Sequence, residues 1–556
     1  MKTIKNIFIA LISSVVLSAC GSARFNSSPV AAPSAAVNKT LELNEKQTQE
    51  WGAADLVSDS IAGMSVDKAY SELLADRKGA NIIVGVIDSG VDIEHEDLKN
   101  VIWVNEDEIP GNGIDDDKNG YVDDIHGWNF LGDIVQENLE YVRMIREMKP
   151  NFEGKTEEEV SPENKADFTL YQKAKAAFEK DYNDALQGKA RYQGMYDQIT
   201  LAHNFVKVKL SKESYSKSDL DDLSNLSEEE KSMVERLGQM MAFGRDIPTV
   251  LERLSGGISY FSGRLKSHFN STTDYRKEKL GDDANNFSSK YYGNNDVDGP
   301  DPKKEDARHG THVAGIIAAE RNNGIGINGV ADNAKIMVVR TVPDGDEYDK
   351  DVALAIRYCV NNGAKVLNTS FGKGFSPHPE WVWDAIRYAS DNDVLIVNAA
   401  GNDGMDLDQN EVYPNDVRPG EVKEIGDTFI TIGASTPEYN DNLVAGFSNY
   451  GKENVDVFSP GVKIWATTPL DTYEYLQGTS MAAPAVAGVA AVIRSYFPKL
   501  KAAQVKQILM DSGLSGPGNV ILGGDPNRVD NFSNISKSGH LVNLYNALIM
   551  ADQLSR

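Results

Sequence analysis

The chain has 556 residues, 41% of them hydrophobic, and a formal charge of −27. That is apolar content enough for a large folded core, with room for more than one domain. The acidity excludes the basic footprint that nucleic-acid binding requires, so no nucleic-acid partner is expected.

The first residues read as a targeting segment, set apart from the fold. Lys2 and Lys5 precede an apolar run, residues 7–17, that is too short to cross a bilayer. Leu17-Ser18-Ala19-Cys20-Gly21 resembles a bacterial lipobox. The resemblance implies a signal peptide of residues 1–19 and acylation of Cys20. Several acyl chains there would anchor an exported protein stably in a membrane of the cell envelope, facing the periplasm or the outside. Residues 20–50 open with a Ser/Ala/Pro-rich stretch and are expected to form a flexible tether. Residues 38–78 read as a lead-in with short helices around Trp51.

The run Ile82-Ile83-Val84-Gly85-Val86-Ile87 predicts a parallel strand buried on both faces. It delivers Asp88 to the carboxyl edge of an open α/β sheet, where such sheets bind ligands. Downstream, Asp115, Asp117, Asn119 and Asp123 occupy positions 1, 3, 5 and 9 of a loop with Gly120 at position 6. This is the opening of an EF-hand-type calcium loop, but His126 stands where the bidentate glutamate belongs. A calcium loop with a different closure is expected, and a solvated acidic turn is the alternative.

Residues 133–294 read as a helical insertion. Phe168, Tyr171, Lys175, Phe178, Tyr182 and Ala185 follow helical spacing, as do Leu251, Leu254, Ile258, Phe261, Leu265 and Phe269. Thr156-Glu157-Glu158-Glu159 and Ser227-Glu228-Glu229-Glu230 have the form of capping boxes. Three to five helices are expected, packed as an antiparallel bundle or arm beside the active-site face.

His309-Gly310-Thr311-His312 follows the insertion. Residues 351–362 have a helical pattern that buries Cys359 as a free thiol. Two further buried strands are expected at 365–372, ending in Ser370-Phe371-Gly372, and at 394–402, running into a turn at Gly401-Asn402. Asn398, inside the second run, reads as a satisfied core amide. Ser480, in Gly478-Thr479-Ser480-Met481-Ala482-Ala483-Pro484, opens an Ala/Gly-rich helix whose first amides can face developing negative charge. Residues 540–548 read as a closing helix.

Asp88, His309 and Ser480 thus supply a carboxylate, an imidazole and a hydroxyl from three separate segments. A serine hydroxyl becomes a nucleophile when a base takes its proton, and the base needs an acid to fix its tautomer. These segments, in this order, resemble the subtilisin family of serine peptidases over roughly residues 80–132 and 295–500. The resemblance implies a three-layer α/β sandwich around a mostly parallel sheet, with a peptidase domain built from residues 51–132 and 295–556. It further implies Asp88 as orienting acid, His309 as general base, Ser480 as nucleophile and Asn402 as side-chain oxyanion donor. Ser370, Phe371 and Gly372 match the substrate-binding strand, which pairs with extended peptides by β-augmentation. Asp97 and Asn323 match a structural calcium site, while catalysis itself needs no cofactor. Protein or peptide substrates follow; the alternative is an inactive, protease-derived binding lipoprotein. Two features depart from the family pattern. Asp88 and His309 are separated far more widely than usual, and no propeptide domain is evident between Cys20 and the first core strand.

Overall fold

The computed structural model describes residue 25 and residues 27–37, 42–242 and 244–556. Cys20 and the expected signal peptide lie outside the described residues. Seven buried strands form the heart of the sheet: β1 (Ile82–Asp88), β2 (Gly127–Asn129), β3 (Ala334–Arg340), β4 (Val366–Thr369), β5 (Leu395–Ala399), β6 (Phe429–Ser435) and β7 (Val457–Pro460). They lie in the order β7-β6-β5-β4-β1-β3-β2, all parallel. Leu514–Ser515 and His540–Leu541 extend the β7 edge, and only the pairing between those two is antiparallel.

Strand alternation sorts the side chains into two apolar layers. Val84, Val86, Ile336 and Val338 pack toward the helices Arg308–Ala318 and Thr479–Tyr496. Ile87, Met337 and Val339 pack on the opposite face with Asp349–Asn361 and Pro379–Asp391. All seven of these strand residues are fully buried, each contributing about 1.5–3 kcal/mol. The three-layer sandwich expected from the sequence is therefore present. Cys359 is a buried free thiol on the second layer. The closing helix spans Leu544–Leu554 rather than starting at 540, because His540–Leu541 joins the sheet and Asn543 caps the helix through Asn546 N.

Among its described residues the insertion holds four helices of 13 or more residues, Glu140–Phe152, Lys165–Leu210, Glu228–Ala242 and Ile247–Lys266, with two of five residues between and after them. The 46-residue helix is its spine. Contacts run in opposite senses along each pair: Phe152 meets Phe168 while Tyr141 bonds Asp181, and Phe178 meets Phe269 while Tyr192 meets Phe261. The packing is antiparallel, as expected. Gly188 and Gly257 allow the close approach, since a Cβ there would stand 2.5 Å from the Phe261 ring and 2.3 Å from the Tyr192 ring. The Ser227 capping box opens a long helix, whereas the Thr156 box closes only a single turn, Glu157–Glu159.

The expected free tether is partly docked. Val30 exchanges two backbone hydrogen bonds with the Asn546 side chain, at 2.8 and 2.9 Å. Val37 bridges to Tyr439, and the Phe25 ring lies against Phe497 and under the Arg77 guanidinium. Apolar residues within the Ser/Ala/Pro-rich stretch have found a surface. Further on, the Trp51 indole is buried and donates to the Val462 carbonyl.

Candidate active site

Parallel strands bring their carboxyl ends to one edge. β1 ends in Asp88, and the chain leaving β3 turns there, with the Thr341 and Val342 amides donating to the Asp88 carbonyl at 2.9 and 3.1 Å. β4 leads beside them into Ser370-Phe371-Gly372, and β5 leads to Gly401-Asn402. The sheet order therefore places the sequence-predicted residues side by side.

Asp88 is buried, and its Oδ1 meets His309 Nδ1 at 2.7 Å across 221 positions of sequence. The Ser89 amide donates to the same oxygen at 2.7 Å. Burial works against charge on His309, but the Asp88 carboxylate outweighs it, so the imidazole pKa lies above its ordinary 6.5. Gly310 makes the approach possible: a Cβ there would stand 2.1 Å from the Gly90 carbonyl oxygen. His312 has a different place. It is fully buried, and its Nε2 lies 3.1 Å from both the Ile464 and Glu474 carbonyls of the hairpin Ile464–Thr468/Thr472–Leu476. Burial drives its pKa down to about 3, so it is a neutral structural pin.

Ser480 sits in the first turn of Thr479–Tyr496, where helix amides lack intrahelical acceptors. Pro484 has no N–H to give the Ser480 carbonyl, four residues before it. The Ser370 hydroxyl takes that carbonyl instead, at 2.9 Å, while the Ser480 hydroxyl donates to the Ser370 carbonyl at 3.1 Å. Ser480 Oγ thus rests on the chain leaving β4, and among the described residues no hydrogen bond joins it to His309. Asn402 accepts from Thr479 N and Thr479 Oγ1, at 2.8 and 3.1 Å. These bonds use its carbonyl oxygen and leave the exposed amide NH₂ as the donor at this edge. Thr479, unremarked in the sequence reading, locks this arrangement by also accepting from Gly401 N at 3.0 Å.

Phe371 buries its ring among the helices of the second layer. Gly372 is exposed. Asn398 is the satisfied core amide expected, bonded to Thr369 Oγ1 at 2.8 Å and Ala399 O at 3.0 Å. A cavity of about 450 Å³ lies behind this edge, between Asn398-Ala399-Ala400 and residues 407–422.

The acidic loop differs from the expected ligand set. Glu108, Asp115 and Asp117 bring one carboxylate oxygen each within 4.8 Å of one another. Glu108 is buried, and its Oε2 has no hydrogen-bond partner. Asn119 instead turns its NH₂ toward Asp117 and Asp124, at 2.9 and 3.0 Å. Asp123 caps the Asn112 and Gly113 amides, at 3.2 and 2.9 Å. The Asn119 Oδ1 accepts from Tyr121 N at 2.8 Å, so both side chains hydrogen-bond to local backbone amides. Asp97 and Asn323 do meet, with Asn323 Nδ2 2.6 Å from Asp97 Oδ1, as amide on carboxylate rather than as two oxygens on one centre.

A family model described as "Subtilase family" matches residues 79–534. A thermophilic serine proteinase of Bacillus sp. (strain AK1) is 40% identical over 188 residues, covering 34% of this chain and 42% of that protein. Subtilisin BL of Lederbergia lenta is 36% identical over 218 residues, covering 39% of this chain and 74% of that protein. The cell wall-associated protease of Bacillus subtilis (strain 168) is 35% identical over 206 residues, covering 37% of this chain and 21% of that protein. The matches thus span less than half the length of the first and third of these relatives. Among solved structures, a protease from Pseudoalteromonas arctica PAMC 21717 is 29% identical and covers 44% of this chain and 70% of that one, with a TM-score of 0.36.

Proposed function

The chain belongs to the subtilase family, and on that premise we propose that it is a serine endopeptidase that cleaves proteins through an acyl-enzyme at Ser480. The observation that carries this reading is the 2.7 Å bond between Asp88 and His309 at the edge where the Ser480 helix begins. Asp88 holds the Nδ1–H tautomer, leaving Nε2 as the base. For reaction, Ser480 Oγ must leave the Ser370 carbonyl and turn to that nitrogen. Oγ then attacks the scissile carbonyl as its proton passes to Nε2. The Asn402 NH₂ and the first-turn amide of Ser480 receive the oxyanion. His309 returns the proton to the leaving amine, and water repeats the sequence on the ester.

Labelling with a fluorophosphonate tests this reading: a covalent adduct on Ser480 is expected, and none in folded protein overturns it. A binding protein without turnover is the second reading, favoured by the rest position of Ser480 Oγ on Ser370. The same labelling separates the two.

A pH profile gives a further expected result. The base must be neutral, and Asp88 holds the His309 pKa above 6.5. kcat/KM therefore rises with pH along an acid limb whose midpoint lies above 6.5. In Asp88→Asn the residual activity has its acid limb at lower pH. An unmoved midpoint would remove His309 as the titrating base.

Calcium is assigned a structural role. Glu108, Asp115 and Asp117 would hold it, since the orphaned Glu108 oxygen gains a partner and a hard cation suits three carboxylates. Calcium at a hundredfold excess over Kd would add about 2.7 kcal/mol and a few degrees of Tm. Glu108→Gln should abolish that increment, as read by calorimetry with calcium and with chelator. An unchanged increment would move the site elsewhere.

The export signal and lipid anchor at Cys20 are likewise proposed. They are tested by mass spectrometry of the mature amino terminus.

A further inference from the structure

The insertion is wired into the groove strand by charges that are buried. Lys373 immediately follows Ser370-Phe371-Gly372, and its backbone exchanges two hydrogen bonds with Tyr413, both 2.9 Å. Its side chain is 2% exposed, and the ammonium meets Glu140 Oε2 at 2.6 Å, Asp349 Oδ1 at 2.8 Å and the Glu347 carbonyl at 2.8 Å. Glu140 opens the first helix of the insertion, 233 positions away in sequence. One turn along, Arg143 bonds Glu140 at 2.6 Å and donates to the Asp346 and Glu347 carbonyls at 2.8 and 3.0 Å.

The same helix thus grips both segments that leave the sheet on either side of Asp88. One is the chain after β3, at residues 346–347. The other is the chain after β4, at Lys373. The lead into the insertion adds backbone pairing, with Glu137 N to Asp344 O at 2.9 Å and Asp344 N to Val135 O at 2.7 Å. On the peptidase reading, a peptide paired in extended form with the β4 exit would run between the chains that leave β3 and β4, and the spacing of those chains would set the width of its channel.

We propose that Glu140 and Lys373 are positioning residues for substrate, through which the insertion fixes the separation of the two groove walls. This rests on the peptidase reading above, and it concerns extended substrates rather than the chemistry at Ser480. Neither side chain touches the reacting atoms. Their loss should loosen peptide binding while leaving the nucleophile reactive. Charge supports the pairing: burial opposes ionisation of Glu140, but Arg143 and Lys373 outweigh it and bring its pKa down to about 2.

The test compares the full-length protein with Glu140→Gln, which keeps shape and one acceptor, and with Lys373→Met. For peptides long enough to fill the groove, KM should rise about tenfold in each with kcat little changed. The rate of labelling by a small fluorophosphonate should stay within about threefold of the unaltered protein. Gly257→Leu serves as control, because it loosens the arm far from the groove and should leave KM alone.

An unmoved KM in folded Glu140→Gln overturns the inference. So does an equal rise in Gly257→Leu, which would mark the effect as general loosening. If Lys373→Met fails to fold, Glu140→Gln and Glu140→Asp carry the same measurement. Failure of the unaltered protein to label would instead strike at the peptidase reading, so the two failures are distinguishable.

Discussion

Ser480→Ala is expected to lower peptide turnover about 10⁶-fold with the fold intact, a magnitude known from subtilisin itself. The hydroxyl makes one hydrogen bond, to the Ser370 carbonyl, and its removal leaves that exchange half in place, because Ser370 Oγ still donates to the backbone carbonyl at position 480. Thermal stability should therefore change by little, while the acyl-enzyme route is closed. The residual rate should come from oxyanion stabilisation and binding alone. Burst kinetics with an activated ester, beside calorimetry, check both halves. Turnover within tenfold of the unaltered enzyme would require another nucleophile, and the buried thiol of Cys359 is poorly placed to be one, since burial raises its pKa far from the thiolate range.

The second large effect is expected at Asn402. Asn402→Asp keeps an oxygen to accept from Thr479 N and Oγ1, the two bonds that seat the turn against the Ser480 helix. It removes the NH₂ donor and puts a negative charge where an oxyanion forms. A drop in kcat of about 10²–10³ is expected, with KM nearly unchanged, since an oxyanion donor acts in the transition state and not on the bound ground state. Asn402→Ala should show a similar drop with a lower Tm, because it loses the seating bonds as well. A loss of less than tenfold in Asn402→Asp would show that the backbone amide of the helix carries the oxyanion unaided.

Residues whose chemistry must be read in a fixed local context were legible in the sequence. Asp88 ends a β-branched run, Ser480 opens a small-residue helix that carries Pro484 near its start, and each segment names its own place at the sheet edge. The pairing of Glu140 with Lys373 was not legible, because each alone looks like an ordinary surface charge and only tertiary folding brings them to 2.6 Å. The acidic loop was half legible. The spacing template marked Asp115 and Asp117, but it had no place for Glu108, which precedes the loop and whose carboxylate the fold brings beside theirs. Nor did it show that Asn119 Oδ1 accepts from Tyr121 N, or that Asp123 accepts from the Asn112 and Gly113 amides, as short polar side chains readily do. Composition misjudged residues 27–37 for a related reason, since a few apolar residues in a Ser/Ala/Pro-rich stretch are enough to dock it.

That docked stretch holds Phe25 at one place on the fold. Phe25 sits beside Phe497, just past the far end of the helix that begins at Ser480. The Ala80 amide bonds the Ser495 carbonyl there, which marks this end as the amino edge of the sheet. With Cys20 as the anchor proposed above, five peptide links separate lipid from Phe25, a reach of at most about 18 Å. The amino edge would then face the bilayer, and the nucleophile would stand about a helix length, roughly 25 Å, further out. Such an enzyme would spare the stalks of its membrane neighbours and cut chains that rise above them.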